Sequence, residues 1–351
     1  MARRKTEGKS TVTLKTIADA VGVSVTTVAR ALKDGDKISP EMIDKVRQTA
    51  DALGYVRNMD GVKLRTGKTF VVMAFLSASP EEEIGDSGSV GILNGIHKRF
   101  ADTDYAVRAV PVTIGESCLD LIQNVVQGRN ADGIIFDHTE PQDDRIKYLL
   151  EQDTPFVAFG RAELFSQFPY FDIDNEFAAY QGTKALLDHG YRKIALIDGD
   201  ERFMFIQQRR RGYQKALQEA GISYNRDLVR NIPALADVAR REAKVLAKSG
   251  ADAFVCVNEL VFLGARAGVR DALGLEALKT GYAIRSGTNL GDYLDDQLFS
   301  SYYSRQQAGW NLADTLIRRM DGAPISDCQI VEQTELRLPT SLLDKSQKTR
   351  L

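Results

Sequence analysis

The sequence predicts a small all-α head at the N-terminus, followed by a larger α/β body of two subdomains. Near the N-terminus, apolar residues recur at helical spacing on both sides of a turn at Gly22. From Phe70 onward, short apolar runs alternate with helical patterns, which is typical of a parallel sheet covered by helices on both faces. The 351 residues, 43% apolar and 27% charged, are enough for several packed units.

The head begins with two short helices. Apolar residues follow helical spacing over 14–21 and again over 28–32, and Gly22 interrupts the period between them. Ser24 is a suitable N-cap for the second helix. A third helix is predicted to begin at Ser39-Pro40 and to stop at Gly54. Two helices joined by such a tight turn form a helix-turn-helix, whose second helix can enter the major groove of DNA.

The first turns of this second helix carry the candidate base-contacting residues. Val25 and Thr26 point outward on this geometry, with Arg30 one turn further along. Short amphipathic helix pairs also occur inside ordinary protein cores, so the spacing alone leaves both interpretations open.

The distribution of charge favours DNA binding by the head. The net charge of the chain is only −2, but residues 1–68 hold 14 Lys or Arg against 8 Asp or Glu, a balance of +6. The remaining residues hold 32 Lys or Arg against 40 Asp or Glu, a balance of −8. A basic head on an acidic body is the pattern expected when only the head meets phosphates.

The body contains two similar runs of alternating strands and helices. The pattern restarts after Asp172-Ile173-Asp174-Asn175, which predicts two halves joined near residue 173. The predicted strands are 70–76, 105–110, 133–136, 155–159, 193–197 and 253–257, and the predicted helices are 90–100, 118–127, 177–189, 207–220 and 261–273.

The head also resembles a known family, the lac repressor/galactose repressor family. The motifs that carry the resemblance are Val12-Thr13-Leu14-Lys15, Val21-Gly22-Val23-Ser24, Thr27-Val28, Leu53-Gly54-Tyr55, Leu64-Arg65 and Thr66-Gly67-Lys68-Thr69. The resemblance implies that the second helix contacts bases in one half of a pseudo-palindromic DNA operator, and that a hinge leucine enters the minor groove. The implied base contacts are Val25, Thr26 and Arg30, the implied phosphate contacts are Thr13, Ser24 and Thr27, and the implied minor-groove residue is Leu64.

The hinge departs from the family pattern at two places. The family has Tyr-x-Pro-Asn where this chain has Tyr55-Val56-Arg57-Asn58, and Ala-Arg before the leucine where this chain has Val62-Lys63 after Gly61. Glycine inside a helix costs about 1 kcal/mol relative to alanine. We therefore expect this hinge to be disordered in the absence of DNA.

From residue 70 to about 322 the body resembles, more loosely, the sugar-binding part of the same family. The resemblance implies two Rossmann-like subdomains arranged as in periplasmic binding proteins, with three chain crossings between them. The implied boundaries are 1–56 for the helix-turn-helix head, 57–68 for the hinge, 69–172 plus 301–331 for the first effector subdomain, and 173–300 plus 332–351 for the second.

Candidate effector-binding residues follow from the same architecture, because ligands of parallel sheets bind at the carboxyl ends of the strands. Asp, Asn and Arg suit the hydroxyl groups of a sugar, and an aromatic ring can cover its apolar face. The candidates are Phe75, Ser77, Asp137, Arg161, Asp174, Arg209, Asn258 and Glu259. The family pattern supports Arg161, Asp174, Arg209 and Asn258.

Other interpretations of these positions remain open. Arg161 and Asp174 could form a structural pair across the joint, and His138 could be an ordinary loop residue. The segment 281–286 departs most from the family, so that a ligand-contacting Asp is missing or displaced.

Several classes of function are disfavoured. The three Cys and three His residues are scattered, so we expect no metal site and no cofactor. No apolar run approaches the length of a membrane span, and the N-terminus lacks the apolar core of a signal peptide, which predicts a cytoplasmic protein. The polar tail at 344–350 contains no leucine heptads, which favours a homodimer over a larger coiled-coil assembly.

These observations predict a sugar-responsive, DNA-binding transcriptional repressor rather than an enzyme. Two alternatives remain: a solute-binding protein, which the body alone would permit, and a sugar-acting enzyme with an accessory helix-turn-helix. No nucleotide-binding loop, catalytic triad or metal-ligand cluster is visible in the sequence to support the second.

Overall fold

The computed structural model describes residues 12–33, 35, 37–56, 59–78, 87–113, 115–294 and 297–339, which fall into two units that divide between Lys68 and Thr69. The tail at 344–350 and the first two residues of the predicted hinge lie outside the described residues. Each unit has its own hydrophobic core.

The first unit is helical. Its elements are α1 (Leu14–Val21), α2 (Val25–Lys33), α3 (Pro40–Leu53) and α4 (Met59–Thr66). The first three helices meet through Ile17, Val28 and Val46, all of which are completely buried. Gly22 and Gly54 end α1 and α3 in the left-handed conformation, with φ angles of 80° and 67°, which glycine adopts without steric cost. The head is therefore the predicted pair of helices with a tight turn, supported by a third.

The hinge is helical where the structure describes it. Residues 59–66 form α4, and the disorder expected in the absence of DNA stays a prediction. The Thr66 hydroxyl donates to the carbonyl oxygen of Val62 at 2.8 Å. The N–H of Gly67 donates to the carbonyl oxygen of Lys63, also at 2.8 Å. Gly67 has a φ of 69°, so it ends the helix in the left-handed conformation. These local bonds offset part of the cost of Gly61.

The second unit contains two six-stranded sheets. The first is entirely parallel, in the order β11-β5-β4-β3-β1-β2. Its strands are β1 (Val71–Ser77), β2 (Ala106–Val112), β3 (Gly133–Phe136), β4 (Phe156–Phe159), β5 (Tyr170–Ile173) and β11 (Gln329–Glu332), and its helices are α5 (Ser87–Phe100), α6 (Cys118–Gln127), α7 (Asp144–Glu151) and α12 (Arg305–Met320). Every residue of β3 is buried, as a continuous apolar run requires.

The second sheet has the order β12-β10-β9-β8-β6-β7 and is parallel except for β12. Its strands are β6 (Ile194–Asp198), β7 (Val229–Asn231), β8 (Ala253–Cys256), β9 (Gly281–Ser286), β10 (Gln297–Tyr302) and β12 (Glu335–Arg337), and its helices are α8 (Asn175–Asp188), α9 (Met204–Glu219), α10 (Ala236–Lys248) and α11 (Glu259–Leu273). The chain passes between the sheets three times: after β5, after β10 and after β11.

Pairs of helices in this unit approach each other closely at glycines. A methyl group at Gly309 of α12 would lie 1.9 Å from the carbonyl oxygen of Ile92 in α5, and one at Gly95 of α5 would lie 2.0 Å from that of Gln306. Such contacts leave no room for any side chain, so α5 and α12 pack backbone to backbone.

We expect Gly309→Ala to lower the free energy of unfolding by about 1–3 kcal/mol, because the added methyl group overpacks this contact. Trp310, the only tryptophan of the chain, lies beside it and reports the transition by fluorescence in urea. Gln306→Ala, at an exposed position of the same helix, serves as the control and should leave the midpoint nearly unchanged. Equal midpoints for Gly309→Ala and the wild type would contradict the assigned packing.

Candidate DNA-binding surface and ligand cleft

The start of α2 is built from short hydroxyl side chains. The Ser24 Oγ accepts the backbone N–H of Thr27 at 3.1 Å and lies 2.8 Å from the Thr27 hydroxyl. Thr13 caps α1 in the same way, with its Oγ1 accepting the N–H of Thr16 at 3.3 Å. Helix N-termini attract anions through their free N–H groups and the helix dipole. The structure thus places the three predicted phosphate contacts at two helix starts.

The outer face of α2 holds the predicted base contacts. Val28 and Ala31 point into the core, whereas Thr26 and Arg30 are exposed and Val25 is 43% exposed. The three side chains therefore share the solvent-facing side of a helix whose other side is anchored. This is the arrangement that a recognition helix requires.

Leu64 on α4 is 89% exposed. A single exposed leucine is common on protein surfaces and does not by itself identify a site. Its position on a helix at the end of the basic unit is compatible with the minor-groove contact predicted from the sequence.

Ser77 and Asp137 lie at the edge of the first sheet where the ligand cleft is predicted. They lie at the ends of β1 and β3, and the Asp137 carboxylate accepts both the backbone N–H of Ser77, at 3.1 Å, and its hydroxyl, at 2.9 Å. Burial acts to raise the pKa of Asp137, but the neighbouring His138 and the bonds from Ser77 outweigh it and lower the pKa below its ordinary value. Asp137 is therefore held as a carboxylate.

Phe75 does not reach the cleft, which corrects the expectation that its ring covers a ligand. It is 1% exposed and packs in the hydrophobic core with Ile122 and Phe136. Position near a strand end did not reveal which way the side chain points.

Arg161 pairs with Asp172, a residue that the sequence analysis missed. Its Nε donates to Asp172 Oδ2 at 2.7 Å, whereas Asp174 is 3.9 Å away from Nη2. Burial raises the pKa of Asp172 in spite of the attraction to Arg161. Asp174 instead caps α8, accepting the N–H of Phe177 at 3.0 Å. The structural pair at the joint is therefore mainly Arg161 with Asp172.

Arg209 is enclosed at the end of the second sheet. Its Nε donates to Asp198 Oδ2 at 2.9 Å and its Nη2 donates to the carbonyl oxygen of Cys256 at 3.0 Å. Both side chains of the pair are 1% exposed. In this arrangement Arg209 supports the floor of the cleft and does not present its guanidinium group to solvent.

Glu259 organises the loop after β9. Its Oε1 accepts the Ser286 hydroxyl at 2.9 Å, the N–H of Gly287 at 3.0 Å and the Thr288 hydroxyl at 3.0 Å. Its Oε2 accepts Arg305 Nη2 at 2.7 Å. Burial acts to raise the pKa of Glu259, but Arg305 and the bonds from Ser286 and Gly287 outweigh it and lower the pKa. The preceding residue, Asn258, caps α11.

The two halves of the cleft touch through a group of rings. The His138 ring meets the edge of Phe203, with centroids 4.9 Å apart, and of Phe205, at 5.4 Å. The carbonyl oxygen of Thr139 also accepts the N–H of Met204 at 2.8 Å. This contact was not predicted from the sequence, although two aromatic residues at the start of the helix that follows β6 were a signal for it.

The segment 281–286, which departs most from the family pattern, forms β9. Gly281 and Tyr282 lie at the start of β9, away from the cleft, and Tyr282 is buried in the core. The cleft end of the strand carries Arg285 and Ser286. A basic residue thus lies on β9 at the edge where a ligand-contacting Asp was expected.

Comparisons with known proteins give matches over both units. Residues 13–58 match the family model described as "Bacterial regulatory proteins, lacI family", and residues 74–334 match "Periplasmic binding proteins and sugar binding domain of LacI family". No helix within the described residues is long and apolar enough to cross a membrane.

Relatives with this similarity are named as transcriptional regulators. The HTH-type transcriptional regulator MalR of Streptococcus pneumoniae is 28% identical over 207 residues, 59% of this chain and 63% of the relative, so the match spans less than two thirds of MalR. The HTH-type transcriptional regulator CelR of Thermobifida fusca is 24% identical over 94% of this chain and 98% of its own.

Two solved structures show the same fold over nearly the whole chain. A complex of transcriptional regulator CelR with cellobiose has a TM-score of 0.69 at 23% identity and covers 93% of this chain and 98% of its own. The lac repressor dimer bound to operator and the anti-inducer ONPF has a TM-score of 0.75 at 19% identity and covers 95% of this chain and 100% of its own. The α-helical head and the two parallel-sheet subdomains are thereby confirmed.

We expect Glu259→Gln to lower the free energy of unfolding by about 2 kcal/mol near neutral pH, because Arg305 loses its charged acceptor. A lowered carboxyl pKa gives stability that is complete above the unfolded pKa and is lost as the pH falls through the folded pKa. The melting-temperature difference from the wild type should therefore shrink below about pH 4. Glu276→Gln, which removes an exposed partner of Lys279, is the control. A melting-temperature difference between Glu259→Gln and the wild type that does not change with pH would contradict the role assigned to the charge of Glu259.

Proposed function

This chain belongs to the LacI family of bacterial regulatory proteins, and we propose that it is a ligand-responsive transcriptional regulator, acting as a repressor of carbohydrate-utilisation genes in the cytoplasm. The observation that carries the proposal is the exposed face of α2 on a basic helical unit, in a chain whose second unit holds two sheets joined by three crossings.

The proposed DNA partner is a double-stranded, pseudo-palindromic operator bound by a homodimer. Two copies of the head would place two α2 helices in successive major grooves, so that protein symmetry matches operator symmetry. In each head, Val25, Thr26 and Arg30 contact bases and Leu64 enters the minor groove. Thr13, Ser24 and Thr27 contact phosphates at the starts of α1 and α2.

The proposed effector is a sugar or a sugar derivative in the cleft. The matching family description includes a sugar-binding domain, and one neighbour of the same fold is a complex with cellobiose. The groups suited to bind hydroxyls are those of Ser77, Asp137, Arg161, Asp174, Asn258 and Glu259, with Arg209 beneath them. The stacked rings of Phe203 and Phe205, rather than that of Phe75, would cover an apolar sugar face.

Regulation follows if the effector binds one arrangement of the two halves better than another. Contacts across the cleft, such as His138 with Phe203, would form or break as the halves move about the three crossings. The same movement alters the spacing of two hinges in a dimer and hence the affinity for an operator. An effector acts through its differential affinity for the two states.

We expect Arg30→Ala to weaken operator binding by about 1–3 kcal/mol and to relax the preference at one base pair per half-site, because a bidentate base contact is lost. Operators selected from a random duplex pool with the full-length protein provide the substrate for gel-shift titration. Arg47→Ala removes the same charge from the exposed side of α3 and should weaken all duplexes equally. An unchanged base preference in Arg30→Ala would contradict the assignment.

We expect Gly61→Ala to strengthen operator binding, by up to about fivefold, because alanine favours a helix by roughly 1 kcal/mol. Among the described residues, and apart from the chain neighbours and the backbone of α4 itself, no heavy atom lies within 4 Å of a methyl group at this position, so the substitution creates no clash there. Gly67→Ala, at a φ of 69°, should instead disfavour the end of the same helix. Hydrogen exchange at 59–66 measures the helix independently of DNA, and weaker operator binding by Gly61→Ala would refute the role of α4.

A further inference from the structure

We propose that the effector carries an anionic group, a carboxylate or a phosphate, and that Arg285 binds this group. The inference rests on the proposed role of the cleft as an effector site and specifies the chemical class of its ligand. It is carried by the position of Arg285, by the way the other arginines of the cleft are paired, and by the rings that support its guanidinium group.

Arg285 lies where a ligand would meet the second sheet. It is the second-last residue of β9 and is paired in register with Ser301 of β10. In parallel sheets, the carboxyl ends of the strands face the ligand. Arg285 is half-buried, so it is neither closed off from solvent nor surrounded by bulk water.

The other arginines at this edge already have carboxylate partners. Arg161 bonds Asp172 at 2.7 Å, Arg209 bonds Asp198 at 2.9 Å, and Arg305 bonds Glu259 at 2.7 Å. These pairs satisfy the requirement that a buried charge be compensated. An added anion would have to compete with a carboxylate at each of the three.

Arg285 differs from them. Over the part of the chain that the structure describes, no carboxylate oxygen lies within 4.0 Å of its guanidinium group, and its side-chain bond goes to the neutral Asn175 Oδ1. Asn175 is fixed in this orientation because its Nδ2 donates to Asp172 and to the carbonyl oxygen of Ile173. Asp172 is the nearby negative charge, and it is already bonded to Arg161.

Two rings support the guanidinium group without neutralising it. Its central carbon lies 5.5 Å from the centroid of Phe205 and 5.6 Å from that of Tyr303. Cation–π attraction stabilises a desolvated cation while leaving its N–H donors available for hydrogen bonds. The planar fork of arginine matches a carboxylate or phosphate through two parallel bonds. The site therefore combines a held cation with the ring cluster proposed to cover the sugar.

An anion at this position would also act at the closure of the cleft. Phe205 contacts both Arg285 and His138, and His138 belongs to the opposite half. A ligand bridging Arg285 to the first half would thus bind the closed arrangement better than an open one, which is what an effector requires.

The test compares neutral sugars with their charged derivatives. The full-length protein is titrated by calorimetry with glucose, glucuronate and glucose 6-phosphate, and with galactose, galacturonate and galactose 6-phosphate. We expect the acid or the phosphate of at least one series to bind at least tenfold more tightly than its neutral parent, with an affinity that falls as NaCl rises. Within each series, the comparison of the uronate with the 6-phosphate shows whether the anionic group that binds is a carboxylate or a phosphate.

Variants then assign the effect to the residue. Arg285→Met, which keeps much of the contact with the rings, should lose about 10–100-fold in affinity for the anionic ligand and much less in affinity for the neutral parent. Arg99→Met is the matched control, because Arg99 also stacks on a ring, that of Trp310 at 5.4 Å, but lies in the last turn of α5. Arg285→Lys keeps the charge without the fork and should bind the anion with intermediate affinity.

The outcomes separate this inference from the proposed function. If no acid or phosphate binds more tightly than its neutral parent, or if Arg285→Met binds the anion as well as the wild type, the inference is overturned. If a neutral sugar nevertheless binds and alters the affinity for an operator, the proposed function is supported although the inference about an anionic ligand is overturned. The wild-type comparison decides the matter even if the variants fail to fold.

Discussion

The cleft depends on the requirement that charged groups taken out of water be paired. At the carboxyl ends of the two sheets, the chain buries several arginines, and each of the enclosed ones is held by a carboxylate at hydrogen-bonding distance. An uncompensated charge in such a place costs several kcal/mol, so these pairs restrict how the strand ends and the connecting segments can be arranged. The arrangement of the strand ends at the proposed ligand site is consequently set in part by charge compensation between buried groups.

Two of these interactions also act on the crossings between the halves. Glu259 binds Arg305 at the start of α12, directly after one crossing, while Asp172 and Asn175 flank another. A ligand that altered either network would therefore act on the segments that connect the two halves. The proposed regulation then needs no long chain of contacts between the ligand and these crossings.

The sequence was informative about elements and much less so about side-chain directions. The strand 133–136 and the helix 118–127 were predicted to the residue, because a continuous apolar run and helical spacing between two strands leave few alternatives. By contrast, Phe75 faces the core and Arg161 prefers Asp172, since these outcomes depend on neighbours from distant strands. Phe203 and Phe205 were missed because aromatic residues after a buried strand normally belong to the core.

The second sheet ends at both sides in strands of only three residues, β7 and β12. Exposed strand edges are templates on which other chains can add and aggregate, and short edges with charged side chains such as Glu335 and Arg337 resist this. The antiparallel direction of β12 also interrupts the parallel ladder that an incoming strand would extend. The second sheet is thereby protected against extension by strands of other molecules and against fibrous self-association.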